Sequence, residues 1–121
     1  MRALVLLVCA IAPAASAAGL DCTFTQICSA QTGCQTSDGV PFHFNLSDDT
    51  VTFDGPQGPV TGRTLPHLAP PDIAILFDSV PGETLLVTLT GSGEAVMTQH
   101  IAAATGGIAA VSYYGTCAPE S

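Results

Sequence analysis

The chain has 121 residues, of which 47% are hydrophobic and 10% charged, and this length and composition are typical of one small globular domain. Its charged residues are 10 acids against 2 bases, with no Lys among them. Nucleic-acid binding and polybasic attachment to membranes both depend on a basic surface, so we expect neither kind of partner.

The first 17 residues have the pattern of a secretory signal peptide. Arg2 supplies a short positive segment, residues 4–11 are apolar, and residues 15–17 (Ala-Ser-Ala) form a small-residue cleavage site. A membrane-spanning helix needs about 20 apolar residues, and Pro13 interrupts this run. We therefore predict a signal peptide over residues 1–17 and an exported protein, periplasmic or secreted. Residues 18–121 hold one Arg and 10 acids, a net charge of −9.

Four cysteines follow this leader, namely Cys22, Cys28, Cys34 and Cys117. An even number in an exported chain predicts two disulfides, and the spacing does not match the short knuckle of a zinc site. A strand between the first two would separate them by about 20 Å, too far for a bridge, whereas a loop over residues 29–33 would bring Cys28 beside Cys34. We favour Cys28–Cys34 with Cys22–Cys117. The alternative is Cys22–Cys34 with Cys28–Cys117.

Alternating hydrophobicity predicts strands along the rest of the chain, separated by turns rich in Gly, Pro and Asp. The predicted strands are residues 22–28, 40–46, 50–53, 73–77, 84–90, 95–103 and 108–114. One tight turn is expected at Ser47, Asp48 and Asp49. The Ala-rich stretch of residues 99–110 is the most helix-like, but two glycines break it.

The pattern is poor between residues 60 and 71, where three prolines cannot donate to a β-ladder. We predict a short edge strand from Val60, followed by a long surface loop over residues 63–71. The whole of residues 18–121 is thus predicted to be a single all-β domain. Its architecture is a small antiparallel β-barrel or sandwich of about seven to eight strands, stapled by disulfides.

The sequence contains no recognisable catalytic constellation. No G-x-S-x-G elbow occurs, and His43, His67 and His100 are spaced unlike a local metal motif. The acids near predicted strand ends, Glu83 among them, are expected to be solvated. We therefore predict no catalytic residue, no metal and no cofactor.

Four residues are candidates for contact with a partner. Arg63 is the one strong base after the leader, and it either pairs with an acid or binds an anionic ligand. Tyr113 and Tyr114 are adjacent in a predicted strand, so one should be core and the other a contact residue. His100 is predicted to share a face with Val96, as a core or rim imidazole.

The order of features resembles that of small periplasmic proteins of proteobacteria, including the inhibitors of C-type lysozyme. The residues that carry the resemblance are His100-Ile101, residues 114–117 (Tyr-Gly-Thr-Cys) and the cysteine-rich start at Cys22. It implies a small barrel closed by a disulfide. That family binds through a Lys and a Ser in an S-G-x-x-Y stretch, whereas this chain has no Lys and reads Ser-Gly-Glu-Ala-Val at residues 92–96. The resemblance is therefore one of architecture.

These features lead to three functional hypotheses. The first is a non-enzymatic exported binding protein whose acidic surface meets a cationic protein, as an inhibitor of a basic protein would. The second is a carrier of a small ligand inside a β-barrel. The third is a metal-assisted enzyme that uses His43, His67 and His100.

Overall fold

The computed structural model describes residues 18–48 and 50–120. The predicted leader (residues 1–17) and Asp49 of the predicted turn lie outside the described residues. The described part of the chain forms eight strands: β1 (Ala18–Ser29), β2 (Gly33–Ser47), β3 (Thr50–Gly55), β4 (Gly58–Leu65), β5 (Ile73–Phe77), β6 (Glu83–Leu89), β7 (Glu94–Ala102) and β8 (Ile108–Pro119).

Each strand pairs antiparallel with the next one, and β8 returns to pair with β1. The result is a closed barrel, which confirms the all-β prediction and selects the barrel over the sandwich. Residues 99–110 form the end of β7, a turn and the start of β8, so the helical alternative is wrong there. Nowhere in residues 18–48 or 50–120 is there a helix long and apolar enough to cross a membrane.

The barrel interior is filled by alternate residues of the strands. Phe44, Phe53 and Phe77 meet with ring centroids 4.9–6.0 Å apart, in stacked and edge-on arrangements that aromatic pairs prefer. Phe24 joins them through Phe42, 6.3 Å away. The other buried residues of this core cluster are Cys22, Val51, Ile75, Leu85, Val87, Leu89, Ala95 and Met97.

Strand β4 corrects the prediction of an edge strand and a loop from residue 63. Arg63 lies inside β4, where it pairs with Thr50 of β3 and Leu76 of β5. The surface loop is therefore confined to residues 66–72. The apolar pattern is weak here because the inward position is Gly62, whose missing side chain leaves room for the ring of Phe77.

Both disulfides have the pairing favoured from the sequence. Cys22 and Cys117 are register partners of β1 and β8, with α-carbons 4.0 Å apart, so this bridge crosses the seam that closes the barrel. Cys28 and Cys34 are register partners of β1 and β2 and lie next to the turn of that hairpin. The β1–β2 hairpin extends further than predicted because β2 begins at Gly33.

The antiparallel order gives the barrel two ends. The hairpin end carries the β1–β2, β3–β4, β5–β6 and β7–β8 connections. The terminal end carries the start of β1, the end of β8 and the other three connections. Each candidate site lies at one of these two ends.

Candidate functional site

Five of the nine carboxylates among residues 18–48 and 50–120 lie around the terminal end. The five in this group are all exposed: Asp21, Asp48, Asp72, Glu94 and Glu120. Asp48 and Asp72 lie in the β2–β3 and β4–β5 connections, and Glu94 borders the β6–β7 connection. Asp21 lies near the start of β1, and Glu120 follows the end of β8. Acids so grouped make the surface of the terminal end negative.

A histidine lies within this acidic end. Nδ1 of His43 is 2.7 Å from Oδ1 of Asp21, and its Nε2 is 3.2 Å from Oδ1 of Asn45. Oε2 of Glu120 is 3.8 Å from the same Nε2. The hydrogen bond with Asp21 is the main cause that raises the pKa of His43 above its ordinary 6.5. Two ring nitrogens that both face oxygen acceptors favour the imidazolium form, in which both donate.

Backbone contacts hold two of the acids in position. The N–H of Glu120 donates to the carbonyl of Gly19 at 2.9 Å. A side chain at position 19 would collide with Glu120, so the glycine permits this carboxylate to lie against β1. Oδ1 of Asp72 accepts a hydrogen bond from the N–H of Gly91 at 3.0 Å, which ties the β4–β5 connection to the β6–β7 connection.

Arg63 is the single Lys or Arg among residues 18–48 and 50–120, and it does not face the acidic end as a free cation. Its Nη1 donates to Oδ1 and Oδ2 of Asp78 at 3.2 and 3.1 Å. The structure therefore bears out the ion-pair alternative for this residue. None of the five carboxylates of the terminal end pairs with this guanidinium, and the basic group that contacts two of them, Asp21 and Glu120, is His43.

The other predicted contact residues are placed on opposite sides of the barrel wall. Tyr113 points inward with its ring 5.9 Å from that of Phe24, whereas Tyr114 points outward and is 41% exposed. His100 is also exposed and faces outward, on the same side of β7 as Val96, which is the register partner of Tyr114. The core alternative for this imidazole is wrong, because the inward positions of β7 are Ala95, Met97 and Gln99. His100 lies instead at the rim, where it lines a cleft at the hairpin end.

Two clefts flank the β5–β6 connection at the hairpin end. One, of about 370 Å³, lies between this connection and the β3–β4 hairpin. The other, of about 470 Å³, is lined by residues of the same connection together with Thr84, His100 and Ile108. Glu83 borders both clefts.

Glu83 is the functional candidate that the sequence reasoning missed. The side chain is half-buried, and its Oε1 accepts a hydrogen bond from Nε2 of Gln99. The sequence alternation could have indicated this inward position, because residue 83 continues the alternate positions of Leu85 and Val87. Its place at the predicted strand end suggested a solvated acid instead.

The three histidines lie apart from one another, on β2 (His43), in the β4–β5 connection (His67) and on β7 (His100). Within residues 18–48 and 50–120, no group of three or more His, Cys, Asp or Glu side chains is placed to hold a metal ion. Comparison with known proteins gives no match to a family model, a curated protein or a solved structure.

Proposed function

We propose that the chain is an exported, non-enzymatic binding protein whose terminal end docks a cationic protein. The observation that carries the proposal is the set of five exposed carboxylates at this end, none of which pairs with the one Arg of the described residues, since Arg63 is bound by Asp78. A surface of one sign attracts partners of the opposite sign, accelerates their association and repels wrong partners. Lys- and Arg-rich surfaces are the chemistry that fits this end.

The architecture suits a rigid docking surface. Antiparallel pairing closes the barrel without a free edge. The Cys22–Cys117 bridge joins β1, which carries Asp21, to β8, which Glu120 follows. The hydrogen bond from Gly91 to the carboxylate of Asp72 reduces the freedom that this side chain would lose on binding, and the bond from the N–H of Glu120 to Gly19 fixes the backbone at position 120. Binding of this kind needs no catalytic group. A tightly bound chain would inhibit its partner by covering part of the partner's surface.

Export is part of the proposal. Two disulfides form and persist in oxidising compartments such as the periplasm or the extracellular space. The leader pattern over residues 1–17 supports the same location. A cationic protein in that compartment is the expected partner class.

The test compares two charge variants of equal net charge against a cationic protein such as lysozyme, by calorimetry at low and at elevated salt. The terminal-end variant is Asp48→Asn with Glu94→Gln, and Asn tolerates the positive φ of 46° at position 48. The control is Asp38→Asn with Asp54→Asn, two exposed acids that lie nearer the hairpin end.

We expect salt to weaken binding and the terminal-end variant to lose about tenfold more affinity than the control, which corresponds to roughly 1.4 kcal/mol. Equal losses for the two variants would mean that net charge, and not this end, is recognised. If neither lysozyme nor any basic protein from an extract of the host binds at low salt, the proposal is wrong.

A further inference from the structure

Glu83 places a negative charge in the mouth of the barrel at the hairpin end. Its side chain points inward from the first residue of β6, and Gln99 of β7 donates a hydrogen bond to Oε1. A partly buried carboxylate is costly unless it is paired with a cation or well hydrogen-bonded. Among the described residues, the strong base is Arg63, which is engaged by Asp78 and points outward.

The cleft of about 370 Å³ beside Glu83 is largely apolar. The wall contributed by β3 and β4 contains Phe53 and Val60, both of which pack against the core. The wall contributed by the β5–β6 connection contains Val80 and Pro81. The cleft thus combines an apolar surface with one fixed carboxylate, a combination typical of sites in the mouths of β-barrels.

We infer that this cleft binds a primary amine with an apolar body, with the ammonium group against Glu83 and the body against Phe53 and Val60. The ammonium would supply the cation that this carboxylate lacks, through a charge-assisted hydrogen bond to the carboxylate. The hydrogen bond from Gln99 orients the carboxylate before the ligand arrives.

The volume limits the ligand to a small molecule or one side chain. A space of about 370 Å³ lies at the lower end of the range for small-molecule sites. The amine is therefore either a free metabolite or the side chain of a Lys in a peptide. This site lies at the end of the barrel opposite the acidic terminal end. A test of amine binding here therefore does not depend on whether the proposed docking function is correct.

The experiment is an amide NMR titration of the disulfide-bonded protein with three probes of the same ring: benzylamine, benzyl alcohol and benzoate. We expect benzylamine to shift the amides of Phe53, Val60 and Val80 saturably, with a dissociation constant on the order of 1 mM. Benzyl alcohol should bind about tenfold more weakly, because it lacks the charge, and benzoate should not saturate. A blocked lysine amide, as fourth probe, distinguishes a side chain from a free aromatic amine.

The matched variants are Glu83→Gln, which keeps an acceptor for Gln99, and Asp38→Asn, which removes an exposed acid on β2 that lines neither cleft. Glu83→Gln should weaken benzylamine binding about tenfold, while Asp38→Asn should leave it unchanged. Equal affinity for benzylamine and benzyl alcohol, or shifts confined to other residues, would overturn the inference. If Glu83→Gln does not fold, the affinities of benzylamine, benzyl alcohol and benzoate for the unmodified protein still test whether the cleft selects an amine.

Discussion

Gly62 and Phe77 face each other across the interior side of β4 and β5. A β-carbon built at position 62 would lie 2.5 Å from Cδ1 of Phe77 and 2.8 Å from the carbonyl oxygen of Leu76. The ring of Phe77 therefore occupies the space that a side chain at position 62 would fill. The same ring contacts Phe53 at 4.9 Å, so this glycine supports the aromatic centre of the barrel.

Gly62→Ala should therefore destabilise the protein. The added methyl group would displace an interlocked ring and meet a backbone oxygen, and overpacking of this kind costs about 1–3 kcal/mol. The measurement is the free energy of unfolding in urea with the disulfides intact. Thr61→Ala, the exposed neighbour on the outer face, is the control and should change stability by less than about 0.5 kcal/mol. Equal effects would contradict the packing argument.

The two disulfides should differ in their effect on stability. Cys22–Cys117 spans a sequence separation of 95 and Cys28–Cys34 one of 6. Loop-closure entropy predicts about 5 kcal/mol for the long loop and about 2 kcal/mol for the short one. We expect Cys22→Ala with Cys117→Ala to lower the unfolding free energy more than Cys28→Ala with Cys34→Ala, in parallel denaturant titrations. Equal losses would mean that native contacts, and not loop length, set the effect.

Much of the fold could be predicted from the sequence because the alternation of apolar residues reports which face of a strand is buried. Ile73–Phe77 has the same bounds in the prediction and in the structure. The strand alternation of residues 40–46 likewise reappears within β2. Closure of the barrel was not predictable in this way, since the pairing of β1 with β8 joins residues from opposite ends of the chain.

The remaining errors have identifiable physical causes. The first part of β2, from Gly33, is polar and mostly exposed because it extends beyond the core and pairs with β1 beside the Cys28–Cys34 bridge. At β4 the inward position is a glycine, which carries no hydrophobic signal. The barrel-mouth position of Glu83 escaped notice because an acid at a strand end is usually solvated. The hydrophobic pattern of a sequence does not reveal a strand that is held mainly by pairing with the neighbouring strands.

The Arg63–Asp78 pair should contribute little to stability, although both carboxylate oxygens accept from the same nitrogen. The two side chains are 58% and 50% exposed, so water and salt screen their attraction. We expect a double-mutant cycle with Arg63→Ala and Asp78→Ala to give a coupling of about 1 kcal/mol or less, decreasing with added salt. A coupling that is larger and independent of salt would indicate a structural role beyond a surface ion pair.

His43 should titrate above its ordinary pKa of 6.5, because the hydrogen bond to Asp21 and the nearby carboxyl of Glu120 favour its charged form. NMR titration of the imidazole measures this pKa directly. Asp21→Asn should lower the pKa of His43 toward 6.5, whereas Asp54→Asn, the same change of charge on β3, should leave it unaltered. An unchanged titration in Asp21→Asn would refute the contact.

The raised pKa of His43 also predicts a dependence of stability on pH. Because folding raises this pKa, the contact stabilises the native state fully below the unfolded-state value of about 6.5. The contribution is then lost as the pH rises through the higher folded-state value. The stability difference between the unmodified protein and Asp21→Asn should therefore be larger at about pH 5.5 than at about pH 9. A difference that is constant between these two pH values would exclude His43 as its source.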